Sequence, residues 1–594
     1  MHLGRTLAIS TIAFLLLIVS SAAETNSSKE LLELARARFK GELLPLLPSE
    51  ESLFTAVANG EPKNYNDPSG KDNDPANADN WASDRVLRAS RIAWLCTDRR
   101  AAALVTYRGL AVTGARIDEK LDLDFARVLF PLRFLNCGFT EILSLTRARL
   151  LFLDLGGSYL RGLQADYAQI ERGLSLNNHF KADGEVWLFG ATIHEDLNCD
   201  SGILVGHAGS ALSCDGAKIT GNVFLTYVKA EGEVRLVGAT IGENFDCDRG
   251  IFGHEGVALS CDGAKITGNV FLKHVKAEGE VRLIGATIGG DLICEGGQFK
   301  HKALSVGREA LSVDRANING GVFLTNNFKA EGTAVFTATN VVGYFYWKDV
   351  NEPELAVLDL RSAKVGTLLD DPKSWPREAK LDGFVYDRID ENSPLDADSR
   401  VKWLRGHPSG HFLPQPYEQL AAVLRKMGLD EDARDVMIAK NQEHARYVQW
   451  RPEWLWYGFF GHLIGYGYSP WTAFGISLIV IVFGWWLFQR GYRRGLVTPT
   501  GDAEYAIQKD GAHVFSHDYP KFNSFVYSLE TFVPLVKLGI AEHWEPNGRC
   551  RALGVKKLPP MTGGWLRGYL WLHMIAGWLL SALWVGGITG LVKT

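Results

Sequence analysis

The sequence predicts a mainly β protein: a right-handed parallel β-helix with a helical N-terminal cap, a helical hairpin after the coil and two C-terminal transmembrane helices. Three observations carry this. Residues Ala211–Gly242 recur as Ala258–Gly289, offset by 47 positions and changed only at Thr226/Lys273, Tyr227/His274 and Val237/Ile284, the mark of a solenoid. Inside the repeat, apolar pairs spaced x, x+2 return every 11 residues, at Leu212/Cys214, Val223/Leu225, Val234/Leu236 and Phe245/Cys247. Finally, residues 472–488 and 568–592 are uncharged apolar runs near the length a bilayer requires.

At the N-terminus, His2 and Arg5 precede the apolar run Leu7–Val19, and Ser21-Ala22-Ala23 offers small residues where a signal peptidase cuts. Residues 1–23 therefore read as a signal peptide, with an uncleaved anchor as the alternative. Residues 24–118 lack the 11-residue step. Their helix signals, Ser49 before ESLFTAVANG and the amphipathic stretch Ser83–Cys96, suit a cap over the open strand edges of a solenoid end. The polar run 64–80 reads as a poorly ordered loop.

The coil is expected over 119–370. Each apolar pair is a short strand with two residues inward and one outward, and Asp215-Gly216, Gly221-Asn222, Glu231-Gly232 and Gly238 turn the chain between them. Phe125, Phe130, Leu135, Leu145, Leu150, Leu155 and Leu160 lie on a five-residue grid. Together the two periods resemble those of the pentapeptide-repeat solenoids, in a loosened form. Two 11-residue steps give a coil of about 22 residues, with a spacing of about 4.8 Å between strands of adjacent coils.

Beyond the coil, residues 371–450 form a connector. In it PYEQLAAVLRKM, Gly428 as a stop and Asp430 as the next cap give a helical hairpin over 416–446, similar to a single tetratricopeptide-type unit and expected to dock on the coil end. Residues 451–594 are the membrane domain. Trp450, Trp454, Trp456 and Tyr457 precede the first span as an aromatic belt would. Arg490, Arg493 and Arg494 follow that span, while Arg551, Lys556, Lys557 and Arg567 precede the second, so the connecting loop belongs in the cytoplasm and the β-helix outside it.

This combination of cap, loosened repeats, QPYEQLAAVLRKMG hairpin and two closing spans resembles a group of bacterial membrane-associated proteins of unassigned mechanism, some catalogued by name as membrane-associated oxidoreductases. The resemblance implies an inner-membrane location and transfers no catalytic motif.

Chemistry-bearing patterns are few. Cys199, Cys214, Cys247, Cys261 and Cys294 follow the repeat; on one face they fall two coils apart, roughly 9 to 10 Å at the strand spacing and beyond disulfide reach, so they read as core residues. No CxxC or CxxH pair occurs, His513 and His517 lie in a loop, and Asp215 and Asp262 are turn residues two coils apart. With no GxGxxG, GxxxxGK[ST] or GxSxG motif, no catalytic residue, cofactor or metal is expected. A net charge of −5 supplies no basic excess for nucleic acid.

The segment 522–546 between the spans is similar to the pore loop of two-span ion channels at Tyr527, Ser528, Glu530, Thr531 and Gly539, but Pro534-Leu535-Val536-Lys537-Leu538-Gly539 stands where a potassium filter has its Thr-Val-Gly-Tyr-Gly run. A membrane-surface helix with Phe525, Leu529, Phe532 and Val533 down and Glu530 and Lys537 up also fits these residues. In the second span, Ala582, Gly586 and Gly590 make a small-residue stripe. It either receives the first span at Gly475 or Gly484 or forms a homodimer.

The leading functional expectation is a membrane-anchored envelope protein, without catalytic activity, whose rigid β-helix binds or scaffolds an envelope protein or glycan. Alternatives are a two-span channel-like protein and a polysaccharide-acting β-helix enzyme.

Overall fold

In each coil the chain makes four short strands, because a two- or three-residue strand between corners can bury its flanking side chains and still expose the middle one. Val223 and Leu225 are fully buried while Phe224 between them stays partly exposed. The computed structural model describes residues 26–41, 45–70, 72–301, 309–406, 412–447, 470–500, 505–507, 513–515, 519–547 and 563–589. The expected signal peptide, the aromatic belt at Trp450, Trp454, Trp456 and Tyr457, the basic residues Arg551, Lys556 and Lys557, and Gly590 lie outside them.

The protein is a parallel β-solenoid of about 12 turns, with helices at the termini and two C-terminal apolar helices. Like stacks on like: Val223 pairs with Phe245, Phe245 with Val270, Val270 with Leu292 and Leu292 with Val322, all in parallel register. Pairing begins earlier than expected, with Lys63–Asn64 against Val112–Thr113 and Val86–Arg88 against Arg116–Asp118, and continues to Val385–Ile389.

The 47-residue repeat has a structural cause. Lys229 pairs with Ile251, 22 residues on, whereas Ile251 pairs with Lys276, 25 residues on. Two coils make one repeat, and the longer coil carries the extra residues near Gly253–Gly256, where the strand register shifts. The equivalent place two coils earlier is the irregularity between Val205 and Leu212.

Corners rely on backbone freedom and on side-chain acceptors. A Cβ at Gly289 would collide with the Thr267 carbonyl oxygen of the preceding coil, so only glycine fits there. One corner carries a continuous amide ladder: Asp196 Oδ1 accepts from Asn222 N (2.7 Å), Asn222 Oδ1 from Asn244 N (3.1 Å) and Asn244 Oδ1 from Asn269 N (2.9 Å). The ladder continues from Asn269 Oδ1 to Asp291 N (2.8 Å) and from Asp291 Oδ1 to Gly321 N (2.7 Å). It supplies acceptors to amides that the turn leaves without strand partners. Asp215 and Asp262 serve a second corner by accepting from Val237 N and Ile284 N, and each also holds an arginine, Arg235 or Arg282.

The seven described cysteines are free and buried. Burial pushes the thiols of Cys96 and Cys137 up to about 12, which suppresses the reactive thiolate.

At the N-terminal end, a helix at 26–38 (α1), Pro48–Asn59 (α2), Ala89–Thr97 (α3) and Arg99–Ala103 (α4) form the cap. Trp94 packs edge-on to Phe39 and Phe54. Glu50 grips Arg88 through both carboxylate oxygens, at 2.7 and 2.6 Å. Only Ala89 onward of Ser83–Cys96 is α-helical, because Val86–Arg88, after a 3-10 turn at Ser83–Arg85, is drawn into the solenoid edge as a strand. Likewise the 64–80 segment is partly ordered: Asn64 pairs with Thr113, and Arg85 stacks on Trp81 at 3.5 Å while donating to the carbonyls of Gly114 and Asp72.

At the other end, Ala397–Arg405 (α5) brings Arg400 onto Asp370 through two 2.8 Å bonds, with Trp375 Nε1 as a third donor to that carboxylate. Two helices form where the hairpin was expected, Gln415–Lys426 (α6) and Asp430–Tyr447 (α7), with Gly428 in the left-handed region between them in the chain. Gln419 of α6 donates to the Tyr386 carbonyl of the last coil at 2.7 Å.

The chain divides into two compact units, and the second holds most residues from Asp430 onward. It contains Pro470–Arg493 (α8), Ser524–Phe532 (α9) and Gly563–Thr589 (α10). Both α8 and α10 are long and apolar enough to cross a membrane.

Replacing Asn269 by Ala leaves the Asp291 amide without its acceptor and should cost about 1 to 3 kcal/mol, read as a lower denaturation midpoint of the full protein in detergent; Asn269→Asp, which keeps an acceptor, should stay close to wild type. Arg400→Met strands the buried Asp370 carboxylate and should cost about 3 to 5 kcal/mol, with partial recovery on adding Asp370→Leu.

Candidate functional site

α9 starts where Asn523 accepts from the amides of Phe525 and Val526. It stops before Pro534, which cannot continue a helix. Its buried residues are Ser524, Tyr527, Ser528, Glu530 and Phe532, while Phe525 is 45% exposed. This differs from the orientation expected of a surface helix: Glu530 turns inward and Phe525 outward. The reason is that the Glu530 carboxylate accepts four consecutive amides, Leu538 (3.0 Å) and Gly539 (2.9 Å) at Oε1, Ile540 (2.8 Å) and Ala541 (2.9 Å) at Oε2. Two of the sequence candidates, Glu530 and Gly539, are thereby bonded to each other. Burial pushes this carboxyl up, but the four donors outweigh it and hold it below the usual carboxylate range.

Ser528 and His573 make a polar junction among the three helices. Ser528 Oγ donates to the Ile481 carbonyl of α8 at 2.8 Å, and His573 Nε2 of α10 lies 3.0 Å from the Ser528 carbonyl. Tyr569 OH lies 3.3 Å from His573 Nδ1. His573 Nε2 also lies 3.3 Å from Ser528 Oγ, and one neutral tautomer meets all three contacts of the ring, with Nε2–H donating and Nδ1 accepting; this proton placement is assigned from the partners. Small residues admit the junction: a Cβ on Gly484 would fall 2.5 Å from Ser528 Oγ and 2.6 Å from His573 Cε1, and one on Gly577 would collide with the Phe532 carbonyl. Thr531 Oγ1 bonds back to the Tyr527 carbonyl at 2.6 Å. Tyr527 packs edge-on to Phe488 in a core with Leu487, Leu496, Val497, Trp544 and Leu566.

A serine beside a histidine suggests nucleophilic catalysis, but the bonding opposes it. The hydroxyl proton is committed to Ile481, the imidazole proton points at a backbone carbonyl, and a tyrosine stands where an orienting carboxylate would be. Among the described residues no group of three His, Cys, Asp or Glu is placed to hold a metal. Of the expected small-residue stripe, Ala582 is exposed and Gly586 lies in α10. Among the described residues of this unit, tight approaches are made at Gly484, Gly491, Gly563 and Gly577, and nothing lies within 4 Å of a Cβ on Gly475.

The solenoid presents a second candidate surface. Along one face the outward residues of successive coils are Phe224, Asp246, Phe271, Ile293, Phe323 and Tyr346, aligned by strand pairing. Phe323 and Tyr346 stack at 4.7 Å. Elsewhere the equivalent columns are largely polar, as in Ser213, Arg235, Ser260, Arg282 and Ser312. An open groove of about 760 Å³ lies beside the irregular strands, lined by His207, Lys229, Glu231, His254, Glu255 and Glu278 among others. Sequence reasoning missed the aromatic column because Phe224 and Phe271 were read only as spacers within the apolar pairs.

The chain is thus a parallel β-solenoid joined to a unit with two membrane-length helices. No family model matches it, and neither the curated proteins nor the solved structures contain a match.

Because the Glu530 pKa is depressed in the folded state, its contribution is complete above the unfolded value of about 4.3 and is lost as the pH falls through the folded value. Hydrogen-exchange protection of the amides Leu538–Ala541, corrected for intrinsic rates, should therefore hold above about pH 5 and drop in more acidic solution. Glu530→Gln should lower that protection at neutral pH and flatten its acid dependence.

Proposed function

We propose that this is a membrane-anchored envelope protein that presents its solenoid outside the cytoplasm as a rigid surface for binding or scaffolding. The observation that carries the reading is the aromatic column: outward Phe224, Phe271, Phe323 and Tyr346 recur on one face of the rod, although coil folding needs no apolar group at an outward position. Half-buried aromatic residues aligned on a stiff support are suited to recognition. The signal-like N-terminus and the basic loop between the apolar helices support the sidedness independently.

Photo-crosslinking residues placed at Phe271 and Phe323 in intact cells should yield discrete adducts that are absent from the same residue placed at Lys265 on another face. Equal adducts at all three positions, or none, would overturn the binding-face reading. For sidedness, a cysteine at Lys229 should react with an impermeant reagent before cells are broken.

A second reading, ion conduction, is favoured by one observation, the inward turn of Ser528 and Glu530 in the short helix between the two apolar ones. Its test is single-channel recording of the purified protein in bilayers, where selective current altered by Glu530→Gln would favour it over an anchor.

A further inference from the structure

We infer that α9 is a re-entrant helix that descends into the bilayer from the basic loop side, offers its Phe525–Leu529 edge to lipid acyl chains, and returns to the same side. The inference rests on the reading that α8 and α10 cross a membrane, and goes beyond anchoring.

Depth is measured by the partners of α9. Ser524 Oγ, in its first turn, lies 2.6 Å from Gln489 Oε1, near the loop-side end of α8. Ser528, one turn later, bonds to Ile481, about 18 Å from Arg493 and about 16 Å from Pro470 at 1.5 Å per residue. That is the middle of α8, and half of a hydrocarbon core about 30 Å thick. Phe532, another turn on, presses its carbonyl against Gly577, about 21 Å along α10 from Gly563 by the same rise. The chain then comes back, because Trp544–Pro546 pairs antiparallel with Val497–Pro499 just beyond α8. An entry, a midpoint and a return are all fixed by contacts inside this unit.

The distribution of polarity agrees. α9 buries Ser524, Ser528 and Glu530 together with Tyr527 and Phe532, yet it leaves Phe525 exposed and Leu529 half-buried, so polar side chains occupy its inner side while an apolar edge faces out. Each of those polar side chains is bonded within the unit, to Gln489, Ile481 and the amides of 538–541. This is the condition for non-spanning backbone at membrane depth. The outward edge also continues an apolar surface, since Phe525 meets Trp485 edge-on at 5.9 Å and the exposed residues of α8 include Val482 and Trp486.

The test uses full-length protein with Cys550→Ser in phosphatidylcholine–phosphatidylglycerol vesicles. Single spin labels are placed at Phe525 and Leu529 and, as controls, at Ile479 and Leu572 on the exposed faces of α8 and α10. Collision with oxygen should exceed collision with a water-soluble nickel complex at all four positions. Nickel access at Phe525 and Leu529, with both controls in lipid, would overturn the inference and leave the spanning helices intact. Nickel access at the controls as well would remove the membrane reading beneath it. Shielding of Phe525 from both reagents would mean that protein covers this edge, and would also overturn the proposal. Gly484→Leu, which fills the space of Ser528 Oγ, should move Phe525 toward nickel access while Ile479 keeps its lipid signature; no movement would show that this contact does not hold α9 in place.

Discussion

A strand of two or three residues cannot satisfy its own backbone, so every coil depends on the register of the coil before and after it. That single requirement organises the solenoid. It aligns the buried column from Val223 to Val322, places the Asn222, Asn244 and Asn269 amides in line, and forces glycine where two coils meet too closely for a Cβ, as at Gly289. It also explains the ends. The first and last coils have one unsatisfied side each, and buried ion pairs anchor helices near both: Glu50 with Arg88 in the cap, Arg400 with Asp370 after the coil.

The coil was legible because its two signals, inward pairs and turn residues, are local and repeat. Val223/Leu225 and Leu292/Cys294 are buried where the 11-residue step puts them. What escaped was non-periodic. The alternation of 22- and 25-residue coils depends on short insertions that carry no apolar mark. The amide ladder uses residues that look like ordinary turn formers, and its partners are 22 to 30 positions away. Val86–Arg88 has helical neighbours on its C-terminal side, yet an open sheet edge decides its conformation.

Legibility was poorer in the second unit. Segment 522–546 was recognised as unusual, and Glu530 and Gly539 were singled out, but the bond between them follows from a loop of irregular backbone for which sequence spacing gives no rule. His573 was missed altogether. It is a lone histidine in an apolar run, and its role depends on Ser528 and Tyr569, which approach from another helix and from the preceding turn of its own.

The two-coil repeat has an evolutionary consequence. A segment of 47 residues begins and ends at the same corner of the rod, so copying it in tandem adds two complete coils and leaves every face in phase. Neither cap would sense the change, since each meets only coils at its own end of the rod, and the amide ladder and aromatic column would simply lengthen. Copying 11 or 36 residues would instead rotate all that follows and break the stacking. The near-identity of Ala211–Gly242 and Ala258–Gly289 is the trace such an event leaves, and it identifies the length of the rod as the property this gene can alter in one step without redesigning the fold.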